Sequence, residues 1–230
     1  MVVDHARRWV QQVVQCTQES LPEAVRHGVH ACGEAAGPWL HEALLHPDVR
    51  RGVAVEHVLQ LLSELRYEPA LLPIVDLIVD EPFWAAPAEA IARYGAEAVP
   101  TLLLLVGRDP AALLEPLAVC ATGTRDPDVR EALVAHLWDL PGLAAQALVH
   151  FGDPGAVPAL LSRLATLTID RRQLFAGQAV LEVVAAVEHL GGDPGALGRQ
   201  RIAEVEAARR PHGDRIGRLH DGLQEALLAG

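Results

Sequence analysis

Between Glu56 and Glu97 the chain carries eight Asp or Glu residues against two arginines, a local charge of −6. A surface of that sign repels phosphates and steers cations toward itself. Asp76, Asp80, Glu81, Glu89 and Glu97, with Trp84 taken as exposed, are the residues whose types and spacing point to recognition. The expected partner is a basic protein or peptide segment held in an anionic groove. The same acids would serve equally well as the solvated outer face of helices.

Other constellations are poorer. His27, His30, His41, Glu42, His46, Glu56 and His57 crowd the front of the chain. His41 and His46 stand five apart, which splays them by about 140° around a helix and misses the spacing of four that joins two ligands on one face. His27 and His30 share a face, but hydrogen-bonded or solvated histidines are the commoner outcome, so no metal is expected. No Ser-His-Asp arrangement, phosphate-cradling glycine loop or carboxylate pair in a hydrolytic context is present, and neither a catalytic residue nor a cofactor is expected. Cys16, Cys32 and Cys120 are odd in number and far apart, which points to buried thiols rather than a disulfide framework. The tryptophans are expected mainly as anchors between neighbouring helices.

The elements that must position these residues follow from composition. The 230 residues are half apolar, enough for one large domain or two small ones, and carry a formal charge of −11. That balance disfavours nucleic acid as a partner. No apolar run reaches the ~18 residues of a membrane span, and the start lacks a signal-peptide core, so a cytoplasmic location with no membrane contact is expected. All nineteen basic residues are Arg, and Lys and Asn are absent, as codon bias in a GC-rich bacterial genome would produce. Aromatic residues make up 4% while Ala and Leu abound, which predicts an all-α fold.

A repeated junction organises the helices. Gly33 to Pro38, Gly95 to Pro100 and Gly152 to Pro158 are three copies, Tyr67 to Pro73 is a fourth, and Gly192 to Gly198 is a degenerate fifth. Glycine permits the left-handed residue that closes one helix, and proline is tolerated in the first turn of the next. The gap between the ends at 100 and 158 is twice 29, which places another corner at Gly123 to Val129. The spacing predicts units of about 27 to 40 residues, each a pair of short helices. Helices are predicted over 4–18, 21–33, 38–46, 48–66, 69–80, 83–94, 97–107, 110–122, 127–139, 142–151, 155–168, 171–190, 195–209 and 213–228.

The run from Ala144 to Leu161 closely resembles the HEAT-like repeat of the phycobilisome-lyase type, and Ile91 to Val106 is a second good match. Pro47-Asp48-Val49-Arg50 and Pro127-Asp128-Val129-Arg130 resemble the Asp-Val-Arg element of such repeats. The resemblance implies a right-handed, armadillo-like α-solenoid of about six helical hairpins. It would be a single domain over 1–230, with repeats at roughly 21–210 and caps at 1–20 and 211–230. It also implies that the helix after each corner lines a concave face, where His41, Glu42, Asp76, Leu77, Leu103, Leu104, Leu161 and Ser162 would meet a ligand. Proteins with such repeats include adaptors, bilin lyases, a metal-dependent hydroxylase and alkylpurine DNA glycosylases. The expected function is therefore a non-catalytic scaffold of the adaptor, regulator or immunity type, with its acidic concave face as the binding surface. The enzymatic alternatives are less well served. This chain has one His-Glu dipeptide where the hydroxylases repeat it. A glycosylase would draw on Trp39, Trp84 and Trp138 with Asp76, Asp80 and Asp139 in a surface too acidic for DNA, although Arg199, Arg201, Arg209, Arg210, Arg215 and Arg218 form a basic cluster further on.

Overall fold

The computed structural model describes residues 2–50, 52–173 and 175–210, and among them every regular element is a helix. No described helix is long and apolar enough to cross a membrane. The chain divides into two compact units, Met1–Thr124 and Arg125–Gly230.

The first unit contains α1 (Val2–Val14), α2 (Glu23–Cys32), α3 (Gly37–Leu45), the single turn α4 (Pro47–Arg50), α5 (Ala54–Glu64), α6 (Leu71–Asp80), α7 (Ala85–Tyr94), α8 (Val99–Leu105) and α9 (Pro110–Cys120). Helix α5 packs on α7 and α7 on α9, while α6 and α8 lie against this row and each other. Helix α1 closes the other side against α2, α3 and α5. The second unit contains α10 (Pro127–Ala135), α11 (Pro141–Phe151), α12 (Val157–Thr166), α13 (Gln178–His189) and a helix α14 over 195–210. Here α11 packs on α10 and α13, and α12 on α13.

Four of the predicted corners share a layout, while Gly192 to Gly198 has no 3₁₀ turn and runs straight into α14. Short 3₁₀ turns at Gly33–Ala36, Glu68–Ala70, Gly95–Ala98 and Pro154–Ala156 each lead directly into an α-helix. Gly33 (φ 54°, ψ −136°) and Gly95 (φ 55°, ψ −135°) share a conformation that a Cβ would strain. The alanine closing each turn, Ala36, Ala70, Ala98 or Ala156, is fully buried, as is the residue four further on, Leu40, Ile74, Leu102 or Leu160. Eight residues on, Leu44, Ile78, Val106 and Leu164 are buried too, so each helix after a corner presents the same apolar stripe. At Gly123 to Val129 the corner is built differently: Asp126 caps α10 by accepting from the Asp128 N–H at 2.9 Å, and Pro127 takes the first helical position.

Several boundaries differ from the sequence-based expectation. The helix expected over 48–66 is two, because the chain bends at Gly52 between α4 and α5. The helix expected from 171 begins only at Gln178, since Gly177 adopts φ 71° and the preceding residues form turns. The helices expected over 4–18 and 127–139 end early, at Val14 and Ala135. The helix expected over 213–228 and the cap at 211–230 lie outside the described residues. The tryptophans are not core anchors: Trp9, Trp39 and Trp84 are half-buried and Trp138 is exposed. Closely packed helices rich in Ala, Val and Leu leave little room for indoles, and Tyr94 and Phe151 are the largest fully buried side chains.

Candidate functional site

The chain leaves α6 at Asp80 and enters α7 at Ala85 through a tight turn. The Trp84 N–H donates to the Glu81 carbonyl at 2.9 Å, which makes Glu81 to Trp84 a β-turn with Pro82 at the position where a fixed φ is favourable. This turn throws Phe83 wholly into solvent. Trp84 folds back instead, its indole N–H donating to a Glu56 carboxylate oxygen at 3.4 Å.

Trp84 stands as a wall between two surface grooves. The first, of about 740 Å³, runs from the end of α3 across the start of α5 to the end of α6. Glu56, Asp80 and Glu81 line it with Trp84, and Leu45, Val53 and Leu77 supply its apolar part. Among the described residues Arg50 is the one cation lining it, and its Nε donates to the Leu44 carbonyl at 3.0 Å. The second groove, of about 640 Å³, runs between α7 and α9 on the other side of Trp84 and is bordered by Glu89, Asp109 and Glu115.

The six residues expected to form one surface are thus distributed over three environments. Asp80, Glu81 and Trp84 meet in the first groove, and Glu89 borders the second. Asp76 lies half-buried on α6 and accepts from Arg108 at 2.8 Å. Glu97 accepts from Arg66 at 2.8 Å. It sits in the corner after α7, about 15 Å along that helix from Trp84 at its start. Paired carboxylates of this kind are partly neutralised, so the field is strongest around Asp80 and Glu81. Sequence reasoning missed Phe83, Glu115 and the role of Glu56 beside Trp84. The signal available was Glu81-Pro82, which opens a turn that takes Phe83 and Trp84 out of the helix expected over 83–94.

The histidine-rich front does not converge. His57 is buried and its Nε2 lies 2.9 Å from the Gln18 carbonyl, while His30 Nε2 lies 2.8 Å from Glu64. Glu64 also accepts from Arg26 and, at 2.8 Å, from Gln60. Burial would raise the Glu64 carboxyl, but the bonds from Gln60, His30 and Arg26 outweigh it and hold that carboxyl below its ordinary range. Among the described residues no three His, Cys, Asp or Glu side chains stand close enough to share a metal ion. Arg7 lies over the Trp39 ring at 5.3 Å and Arg163 over Trp138 at 4.9 Å, so both indoles already have cationic neighbours. In the C-terminal basic cluster, Arg201 and Arg209 donate to the Leu167 and Ala176 carbonyls, while Arg215 and Arg218 lie outside the described residues.

No family model, curated protein or solved structure matches this chain.

Proposed function

We propose that the protein is a non-catalytic binding scaffold, of the adaptor, regulator or immunity type, that captures a basic protein or peptide segment. The observation that carries this reading is the convergence of Glu56, Asp80 and Glu81 beside Trp84 in one open groove, where Arg50 already donates to a backbone carbonyl. Three carboxylates and an indole face suit a Lys or Arg side chain, which brings charge and an aliphatic stem together. The overall charge of −11 adds long-range steering of a cationic partner.

The scaffold itself we propose to be a run of HEAT-like hairpins of the phycobilisome-lyase type, wound as an α-solenoid. Support comes from the recurring corners and from the reach of side-chain hydrogen bonds. Long-range bonds span 27 to 39 residues in the first unit, as from Tyr94 to Tyr67 and from His57 to Gln18. In the second they span 23 to 34, as from Arg130 to Asp153 and from Arg201 to Leu167. Each therefore reaches about one hairpin along the chain, as stacking against nearest neighbours requires.

The test is binding of a fluorescent oligolysine peptide at low and high salt. The expected result is tight binding at low salt that falls steeply as salt rises, and loss of binding in the double variant Asp80→Arg, Glu81→Arg with helical circular dichroism unchanged. Equal binding by the double variant would overturn the reading.

A further inference from the structure

The groove between α7 and α9 has a chemistry of its own. Its floor is made of small side chains, Ala85, Ala88 and Ala92 on α7 facing Ala111, Ala112 and Val119 on α9. Positions 85, 88 and 92 are spaced three and four apart and share one helix face, and Ile78 and Pro116 complete the lining. Phe83 stands fully exposed at one end with Trp84 beside it. Among the described residues, Glu89, Asp109 and Glu115 supply the charge of the lining, with no Lys or Arg beside them. Asp109 uses one carboxylate oxygen to cap α9, accepting from the Ala112 N–H at 3.2 Å.

We propose that this groove binds one amphipathic α-helix of a partner protein, its apolar stripe laid on the alanine floor against Phe83 and its Lys or Arg residues reaching Glu89, Asp109 and Glu115. The proposal rests on the reading that the chain recognises basic segments, and it specifies the form in which one is recognised. Two arguments favour a helix over an extended strand. Both walls are helices, and although Pro116 leaves the Ala112 carbonyl without its intrahelical donor, one lone carbonyl is no edge with which a strand could pair, whereas a helix brings its own bonds satisfied. The alanine floor also lets a third helix approach closely enough for ridge-into-groove packing. The acidic border fixes the sign of the partner, since an anionic membrane or nucleic acid would meet like charge.

The experiment titrates the full chain with a labelled helical peptide bearing Leu on one face and Lys on the others. A scrambled peptide of the same composition and the oligolysine peptide serve as comparators. The Leu/Lys helix is expected to bind about tenfold or more tighter than its scrambled form and to gain helical circular dichroism on binding. Phe83→Ala should weaken it by about tenfold, and Ala88→Arg, at an outward-facing position, should abolish it, while both leave oligolysine binding at Asp80 and Glu81 unchanged. Equal binding of the helix and scrambled peptides would overturn the proposal. So would indifference to both substitutions, or sedimentation showing that the groove is already filled by a second copy of the chain and opened by Ala88→Arg. Helix binding by a parent chain that does not bind oligolysine, or that binds it equally well in the Asp80, Glu81 double variant, would refute the reading of the Asp80, Glu81 groove alone.

Discussion

Tyr94 offers a quantitative test of how one hairpin is locked to the next. Its ring is fully buried, and its hydroxyl lies 3.0 Å from the Leu62 carbonyl and 3.1 Å from that of Tyr67, where α5 ends. The chain turns there through Arg66 in the left-handed region (φ 51°), with the Tyr67 N–H returning to Leu62 and the Arg66 N–H to Ser63. Burial, with the charge of Glu97 nearby, raises the phenol far above its ordinary range, so it stays a neutral donor. Tyr94→Phe removes that donor but orphans neither carbonyl, because Leu62 keeps the Tyr67 N–H and Tyr67 keeps the Ala70 N–H. The cost is then the net worth of a hydrogen bond, about 1 kcal/mol, rather than a desolvation penalty. Tyr94→Ala also empties a ring-sized volume in the core and should cost about 3–5 kcal/mol. Urea denaturation followed by circular dichroism separates the two. A Phe variant as unstable as the Ala variant, or one indistinguishable from the parent, would refute the division between hydroxyl and ring.

Two further predictions concern the second unit's corner and the buried thiol. The Asp153 carboxyl is held below its ordinary range first by the Gly155 N–H at 2.9 Å, against the opposing effect of burial, and then by Arg130 at 2.9 Å. A folded value below the unfolded one stabilises fully above the unfolded carboxylate range and is lost as pH falls through the folded value. Thermal melts from neutral to acid pH should therefore show a shallower acid loss in Asp153→Asn, with about 1 kcal/mol less stability near neutrality; identical acid limbs would contradict it. Cys120 is buried with its Sγ 3.4 Å from the Ile91 carbonyl, and burial pushes its thiol up to about 11. At mildly alkaline pH a thiol-disulfide reagent should react quickly with half-buried Cys16 and Cys32 and reach Cys120 only after denaturation. Three fast thiols in the native protein would count against this.

The corners were legible wherever glycine marked them. Gly33 and Gly95 adopt the positive φ that the Gly-to-Pro pattern predicts, and Pro38 and Pro100 stand in the first turn of the helix that follows. The corner at Tyr67 was found through its prolines alone, because its left-handed residue is Arg66, a type that carries no signal for that conformation. Its place is held by tertiary bonds, Arg66 to Glu97 at 2.8 Å and Tyr94 to Tyr67 at 3.1 Å, which local pattern does not reveal. The candidate site was legible as charge but not as arrangement. Counting acids located the region, yet whether an acid is free or paired depends on residues one hairpin away: Asp76 meets Arg108 and Glu97 meets Arg66 at separations of 32 and 31 residues.

The helix packing bears on where the proposed recognition residues lie in the first unit. At the corners, Ala36, Ala70 and Ala98 are fully buried, and a larger side chain at any of them would collide with the core. That end of each hairpin is committed to the fold. The connections 46–53 and 81–84 differ in length and residue type, and apart from Val49 their described residues are exposed or half-buried. Glu56, Asp80, Glu81, Phe83 and Trp84 all lie on or beside these connections, held in place by the helices they join. On the proposed reading, exposed residues of these turns could change with the partner without disturbing the buried stripe. If both proposals hold, Gly-Ser in place of Phe83-Trp84 should weaken oligolysine and Leu/Lys-helix binding together, read in the same titrations, while the helical circular dichroism stays unchanged; undiminished binding of either peptide would count against Trp84 as the wall shared by the two grooves.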